Sequence, residues 1–182
     1  MVDSVTPDAG FALTLASAQA GDEPAIVVLY RAYNPALLRF FAVQAPRVKE
    51  DLAQEVWAAV ASSLTSFEGD EGRFRAWLFT IARRRSIDYW RLVRRRPPEA
   101  SDELIDFAQA EQPDDLAIRA AVSELTAGLT AEQAEVVLLR VVAGLSVEHV
   151  AAIVHKSPGA VRVIQHRALR RLAQLTDRVV TP

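Results

Sequence analysis

Residues 130–172 read TAEQAEVVLLRVVAGLSVEHVAAIVHKSPGAVRVIQHRALRRL, and the order of signals in that stretch decides the fold. Thr130 followed by Gln133 fits a capping box, so a helix starts there. Gly144 predicts its end. Ser146 then caps a short helix, SVEHVAAIV, which stops at His155-Lys156-Ser157-Pro158. Ser157 predicts a second cap, with Pro158 at the first helical position of an arginine-rich amphipathic helix. Two helices joined by a tight turn are a helix-turn-helix, in which the first braces the second in the DNA major groove. Ala151 falls where the first helix needs a small residue. Val161, Ile164, Ala168, Leu172 and Leu175 form the stripe that the second helix buries. His155 stands where a left-handed turn residue is expected; His tolerates positive φ better than most side chains.

A second basic helix lies about seventy residues upstream, at FRAWLFTIARRRSIDYWRLVRRR. The net charge of −2 conceals this clustering. Residues 73–96 hold nine arginines and one acid, Asp88, whereas residues 97–118 hold seven acids and no base. Residues 155–178 hold six Lys or Arg against one acid, Asp177. Charge segregated in this way is an electrostatic footprint for a polyanion. Phe74, Trp77, Leu78 and Ile81 keep core spacing. Tyr89 and Trp90 lie deeper in the basic stretch, where rings can either pack on the domain or stack on unpaired bases.

Apolar spacing is helical nearly throughout, which predicts an all-α protein. A first helix is expected from Asp8 to Ala20. Asp22 and Pro24 start a second, which runs to about Gln44 with a bend near Asn34-Pro35. Pro46 marks a break before KEDLAQEVWAAVASSLTSF, whose Leu52, Val56, Ala59, Val60 and Ser63 or Leu64 share one face. FEGDEG is a loop. The basic helix stops before Pro97-Pro98. Residues 97–113 are acidic and proline-bounded, a linker composition. Asp114 or Asp115 then caps a helix through Ala127. The expected organisation is two small helical domains, 1–96 and 114–182, joined by that linker.

At 51% hydrophobic residues the chain can build a core, so it is not read as disordered. The absence of cysteine excludes a disulfide scaffold and suits a reducing cytosol. No apolar run is expected to reach the ~20 residues that cross a bilayer. The start MVDSVTPDAG lacks a signal peptide's basic region, so a soluble, cytoplasmic protein without membrane insertion is expected. His149, His155 and His166 have no accompanying ligand set, and no nucleophile–base arrangement or phosphate loop is present. No metal, no cofactor and no catalytic residue is expected, and the enzyme reading is set aside.

The pieces together resemble an extracytoplasmic-function (ECF, group 4) sigma factor of the sigma-70 family. LYRAYNPALLRFF is similar to the start of the family's domain two, and EDLAQEVWAAV to its signature helix. FEGDEGRFRAWLFTIARRRSIDYWR resembles its promoter-melting segment. The C-terminal helices resemble domain four. The resemblance implies a protein that binds core RNA polymerase, through the β′ clamp helices and the β subunit, and brings it to promoter DNA. It places Asp51, Gln54 and Glu55 on the helix that docks on the clamp. It places the −10 element against Glu68, Gly69, Asp70, Arg73, Arg83, Arg84, Arg85, Asp88, Tyr89 and Arg91. It places the −35 element against Ser157, Gly159, Arg162, Val163, His166, Arg167 and Arg170. An anti-sigma protein is the family's usual regulator.

Two departures stand out. The family often carries T-V-K-S-R-L-H-R in the recognition helix, where Ala160–Arg167 reads AVRVIQHR, so contacts made by the missing Thr, Ser and first Arg do not carry over. Arg84 stands where the −10 helix usually has Asn. The competing reading is a stand-alone helix-turn-helix regulator with a helical sensor domain. It accounts for the last fifty residues but for neither EDLAQEV nor the second arginine helix.

Overall fold

A computed structural model describes residues 7–95 and 128–180, with side chains for 10–95 and 128–174. The expected linker and the helix expected from Asp114 or Asp115 to Ala127 lie outside the described residues. Every element described is helical: α1 Pro7–Gln19, α2 Glu23–Gln44, α3 Lys49–Ser63, α4 Glu71–Arg95, α5 Ala131–Val137, α6 Val147–Val154 and α7 Pro158–Val180.

Local chemistry sets the helix starts. The Asp22 carboxylate accepts from the Ala25 N–H at 3.1 Å and caps α2, with proline in its first turn. α2 is helical on both sides of Pro35, although a proline there removes one backbone donor. Asp70 caps α4 by accepting from the Arg73 N–H at 2.7 Å. The capping box at α5 is complete: Gln133 N–H donates to Thr130 Oγ1 at 3.2 Å, and Thr130 N–H donates to Gln133 Oε1 at 3.1 Å.

The expectation that no apolar run approaches membrane length needs correction. α2 is 22 residues long and apolar enough to cross a bilayer on length and composition alone. Its Leu37, Phe40 and Phe41 are fully buried in the protein, and Arg31 and Arg39 lie within it. That burial makes α2 a core helix, since a face packed against other helices is not presented to lipid.

α1 to α4 form one bundle. Phe74 is its hub, fully buried, with ring centroids 5.5 Å from Phe11, 5.2 Å from Tyr33, 5.4 Å from Phe67 and 5.7 Å from Trp77. Rings at such distances in tilted and edge-on arrangements gain beyond their buried area. The Phe67 end of the loop before α4 is tied down again by Gln19, whose Nε2 donates to Leu64 O at 2.9 Å and Phe67 O at 2.7 Å. Trp57 Nε1 donates to Asn34 Oδ1 at 3.1 Å and links α3 to α2.

α5 to α7 form the second bundle around buried Val136, Leu139, Leu145, Val150, Val161 and Ala168. The helix expected to run to Gly144 instead widens into a π turn over Leu138–Val142. The chain leaves it through Gly144 at φ 65°, a conformation glycine adopts without a Cβ penalty. Ala168 apart, the buried hydrophobic residues of both bundles belong to one continuous cluster, and α6 packs on α4.

Candidate polymerase and nucleic-acid interfaces

The helix-turn-helix is built as its residues dictate. Ser146 Oγ accepts from the His149 N–H at 3.1 Å and starts α6. His155 ends it at φ 56° and ψ 46°, in the left-handed region, and is the one non-glycine residue at positive φ among those described. Its N–H closes on Ala151 O, and Lys156 N–H reaches the same carbonyl at 2.9 Å. Ser157 Oγ then accepts from the Ala160 N–H at 3.2 Å, and α7 begins at Pro158. Val161 and Ala168 are fully buried, Ile164 and Leu172 are half-buried, and the Leu175 side chain lies outside the described residues.

That anchoring leaves one face of α7 outward. Ser157, Gly159, Arg162, Val163, His166, Arg167 and Arg170 are all exposed. Val163 is 48% exposed, an apolar group on a polar helix face. Gln165 is turned away from that face, because its Oε1 accepts from Arg140 Nε at 3.1 Å. Arg140 also donates to Leu145 O, so this one guanidinium braces the turn before α6 and the body of α7. Arg162 is engaged with Glu148 at 3.0 Å, on the preceding helix.

In the first bundle, Asp51, Gln54 and Glu55 lie exposed on one face of α3, at the i, i+3, i+4 spacing of a helix surface. Glu55 pairs with Arg85 at 3.3 Å and thereby ties the α3 face to α4. The Glu68-Gly69-Asp70 loop is exposed. Gly69 sits at φ 154°, and a Cβ there would stand 2.9 Å from Arg73 Cβ, so the close turn onto α4 requires glycine.

α4 does not present its arginines on a single surface. Arg73, Arg84 and Arg91 are exposed, and Asp88 accepts from Arg91 at 3.4 Å and lies 3.9 Å from Arg84. Arg85 turns toward α3. Arg83 points into the second bundle, where Nε donates to Glu135 Oε1 at 2.8 Å and Nη2 to Oε2 at 3.3 Å. Arg75 is held by Glu71 at 2.6 Å and lies over the Tyr33 ring, 5.6 Å from its centroid. Burial and the nearby Glu71 carboxylate push the Tyr33 phenol up to about 12.

The aromatic residues of the basic stretch divide. Trp90 Nε1 donates to Gln44 O at 2.9 Å, so that ring is committed to its own bundle although 39% exposed. Tyr89 is half-buried, its ring 5.3 Å from that of Trp90. Trp77, expected as core, is half-buried and stacks on Phe67 at 5.0 Å. Glu135, Glu148, Arg75 and Arg140 were not among the residues singled out by sequence. The partners of Glu135, Glu148 and Arg140 lie on other elements, and no spacing rule reports such a pairing, whereas Arg75 pairs with Glu71 at i, i+4 on its own helix and meets the Tyr33 ring of α2. Among the described residues, no group of His, Asp or Glu is placed to hold a metal ion.

Comparison with known proteins decides the family. Sigma-70 region 2 matches residues 29–96, and Sigma-70, region 4 matches residues 119–172. The ECF RNA polymerase sigma factor SigD of Mycobacterium tuberculosis (strain H37Rv) is 36% identical over 170 residues, covering 87% of this chain and 80% of SigD. The chain belongs to the ECF sigma factors of the sigma-70 family. ShbA of Streptomyces griseus, another ECF sigma factor, is 37% identical over 178 residues, covering 86% of this chain and 90% of ShbA. BldN of Streptomyces coelicolor is 33% identical over 165 residues, and the match spans 62% of BldN's length. Among solved structures, the sigma factor RpoE bound to the anti-sigma factor NepR from Bartonella quintana is 28% identical, with a TM-score of 0.55 over 85% of this chain and 98% of that one. CnrH in complex with the cytosolic domain of CnrY shares the fold, with a TM-score of 0.64 at 24% identity over 91% and 96% of the two chains. As a sigma factor the protein serves transcription initiation and is not a catalyst.

Proposed function

We propose that this sigma factor binds core RNA polymerase through α3 and reads promoters at two places, with α4 and its preceding loop at the −10 element and α7 at the −35 element. Region 2 then occupies residues 1–96, an acidic linker 97–113 and region 4 residues 114–182. The observation that carries the reading is the outward face of α7, where seven residues of the turn and helix stay exposed while Val161 and Ala168 lock the opposite face into the bundle.

Asp51, Gln54 and Glu55 offer an acidic, amide-bearing face to the basic clamp helices of β′, a complementary pairing of charge. Arg73, Arg84 and Arg91 hold phosphates of the separated −10 strand, a contact that adds affinity without reading sequence. The Glu68–Asp70 loop receives an unstacked base. In region 4, Ser157 and Gly159 position the helix N-terminus on a phosphate. Arg162, His166, Arg167 and Arg170 face the groove, where arginine can pair with guanine O6 and N7, and Val163 packs on a thymine methyl. Regulation comes from an anti-sigma protein that covers these surfaces, by analogy with NepR on RpoE. The protein works in the cytoplasm, where polymerase and promoter are.

Run-off transcription on genomic fragments with purified core polymerase tests this directly. Transcripts that start at defined sites only when the protein is added support the reading. Failure to associate with core in a pull-down would return the chain to a stand-alone DNA-binding regulator.

A further inference from the structure

We propose that Gln165 is a positioning residue for −35 reading: by accepting from Arg140 it fixes how far α7 is turned about its own axis, and so which side chains reach the base edges. The proposal rests on the reading of α7 as the −35 helix. Gln165 and Arg140 are 25 positions apart, both half-buried, and Arg140 Nε donates to Gln165 Oε1 at 3.1 Å. The same guanidinium donates through Nη1 to Leu145 O. One planar group is thus fastened both to the turn before α6 and to the middle of the recognition helix.

The anchor is itself held. Arg140 sits at the centre of the π turn, which Ala143 N–H closes on Leu138 O at 3.0 Å. Leu145 is buried, and its N–H donates to Leu139 O at 3.1 Å. The family motif carries Leu where this chain has Gln165. A leucine packs but cannot accept, so the link belongs to this chain's own sequence.

The buried stripe alone leaves the rotation of α7 loose. Val161 and Ala168 are fully buried, but apolar contact is non-directional and neither side chain is long. A hydrogen bond weakens steeply when misaligned, so it fixes a direction. At about 100° per residue, Gln165 falls about 40° around the helix from Val161, on the side that leads to Arg162 and His166. The link therefore holds the flank beside the reading face. Another polar link, Arg162 to Glu148, has side chains 61% and 63% exposed, where water and a strand's phosphates compete for both partners. A turn of about 20° would carry a side-chain tip about 6 Å from the axis by about 2 Å. Productive base-edge geometry tolerates about 0.5 Å, so a lost setting costs sequence preference before it costs affinity for phosphates.

The test uses core polymerase loaded with the full chain, selecting from duplexes randomised at the −35 element, with stability followed by circular dichroism melts. Gln165→Ala removes the acceptor and Gln165→Glu keeps one. Val136→Ala, at a fully buried position of α5, is the control for lost stability alone. Expected: Gln165→Ala lowers the ratio of preferred to single-mismatch binding at least roughly fivefold at one or more positions, the lower end for one lost base-edge pair, while Gln165→Glu and Val136→Ala keep the wild-type preference. In the Arg140→Ala background, Gln165→Ala should change nothing further, as for two residues that act through one contact. If Gln165→Ala keeps the wild-type preference, or Val136→Ala blunts it as much, Gln165 does not position the helix. If Gln165→Glu loses as much as Gln165→Ala, or the loss persists in full without Arg140, the link to Arg140 is not what sets α7. In each of these cases a wild-type −35 preference still upholds the proposed function. If the wild-type holoenzyme shows no −35 preference, the reading of α7 falls, and the positioning role with it.

Discussion

Replacing His155 by glycine should stabilise region 4. His155 sits at φ 56° and ψ 46° between the two helices of the DNA-reading motif. An L-residue in that region costs about 1–2 kcal/mol relative to its right-handed form. Glycine escapes that cost but loses about 0.5–1 kcal/mol more chain entropy on folding. The difference favours His155→Gly by about 0.5–1 kcal/mol, toward the lower value because His enters this region more readily than most residues. For a chain of this length, 1 kcal/mol moves Tm by about 2–4 °C, so a rise of roughly 1–3 °C is expected. His155→Val should move it the other way, since a branched Cβ crowds the left-handed turn. Paired urea titrations and thermal melts by circular dichroism measure both. If His155→Gly and His155→Val are both less stable than wild type by similar amounts, backbone strain is not what this position contributes, and the imidazole itself must be supporting the α4–α6 groove that it lines.

Four further outcomes can be checked. Phe74→Ala removes a fully buried ring that meets four others, and should cost about 3–5 kcal/mol by chemical denaturation. Asp51→Arg should weaken the complex with core polymerase in a pull-down at stability within about 0.5 kcal/mol of wild type; Asp51 is preferred to Glu55 because Glu55 also holds Arg85. Arg162→Ala should relax preference at one G·C pair of the −35 element, by about 1–3 kcal/mol, whereas Arg170→Ala should weaken all sequences alike in a binding selection. The raised Tyr33 phenol keeps its proton when folded up to about pH 12, whereas the unfolded chain loses it near the ordinary tyrosine value of about 10, so stability should fall as pH rises through that window, and Tyr33→Phe should flatten the fall.

The helix-turn-helix was legible because its signals are local. Ser146, His155, Ser157 and Pro158 each act on backbone groups within a few residues, so the sequence alone names the cap, the turn and the next start. The buried stripe of α7 was legible for a related reason, since period identifies a face. Period does not identify a partner. Glu135 reads as an ordinary exposed helix charge until the fold brings Arg83 to it from 52 residues away. The π turn at Leu138–Val142 is invisible in a run of five residues that would suit an α-helix equally well. Trp90 shows the converse: its place among arginines left packing and base stacking both open, and its hydrogen bond to Gln44 O commits it to the bundle.

The short loop ahead of α4 is fastened at both ends. Phe67 is wedged in the ring cluster and its carbonyl is held by Gln19, while Asp70 is committed to the first turn of α4. Only Glu68 and Gly69 lie between those anchors, and Gly69 is fixed in a conformation closed to other residues. Ordering a residue from a free chain costs about 1–2 kcal/mol. Here that ordering is complete before any base arrives, so a strand meeting this loop would lose its own freedom but not the protein's. Discrimination among bases would then turn on the fit to a preset shape, and loosening Gln19 should blunt selectivity without touching a single residue that contacts DNA.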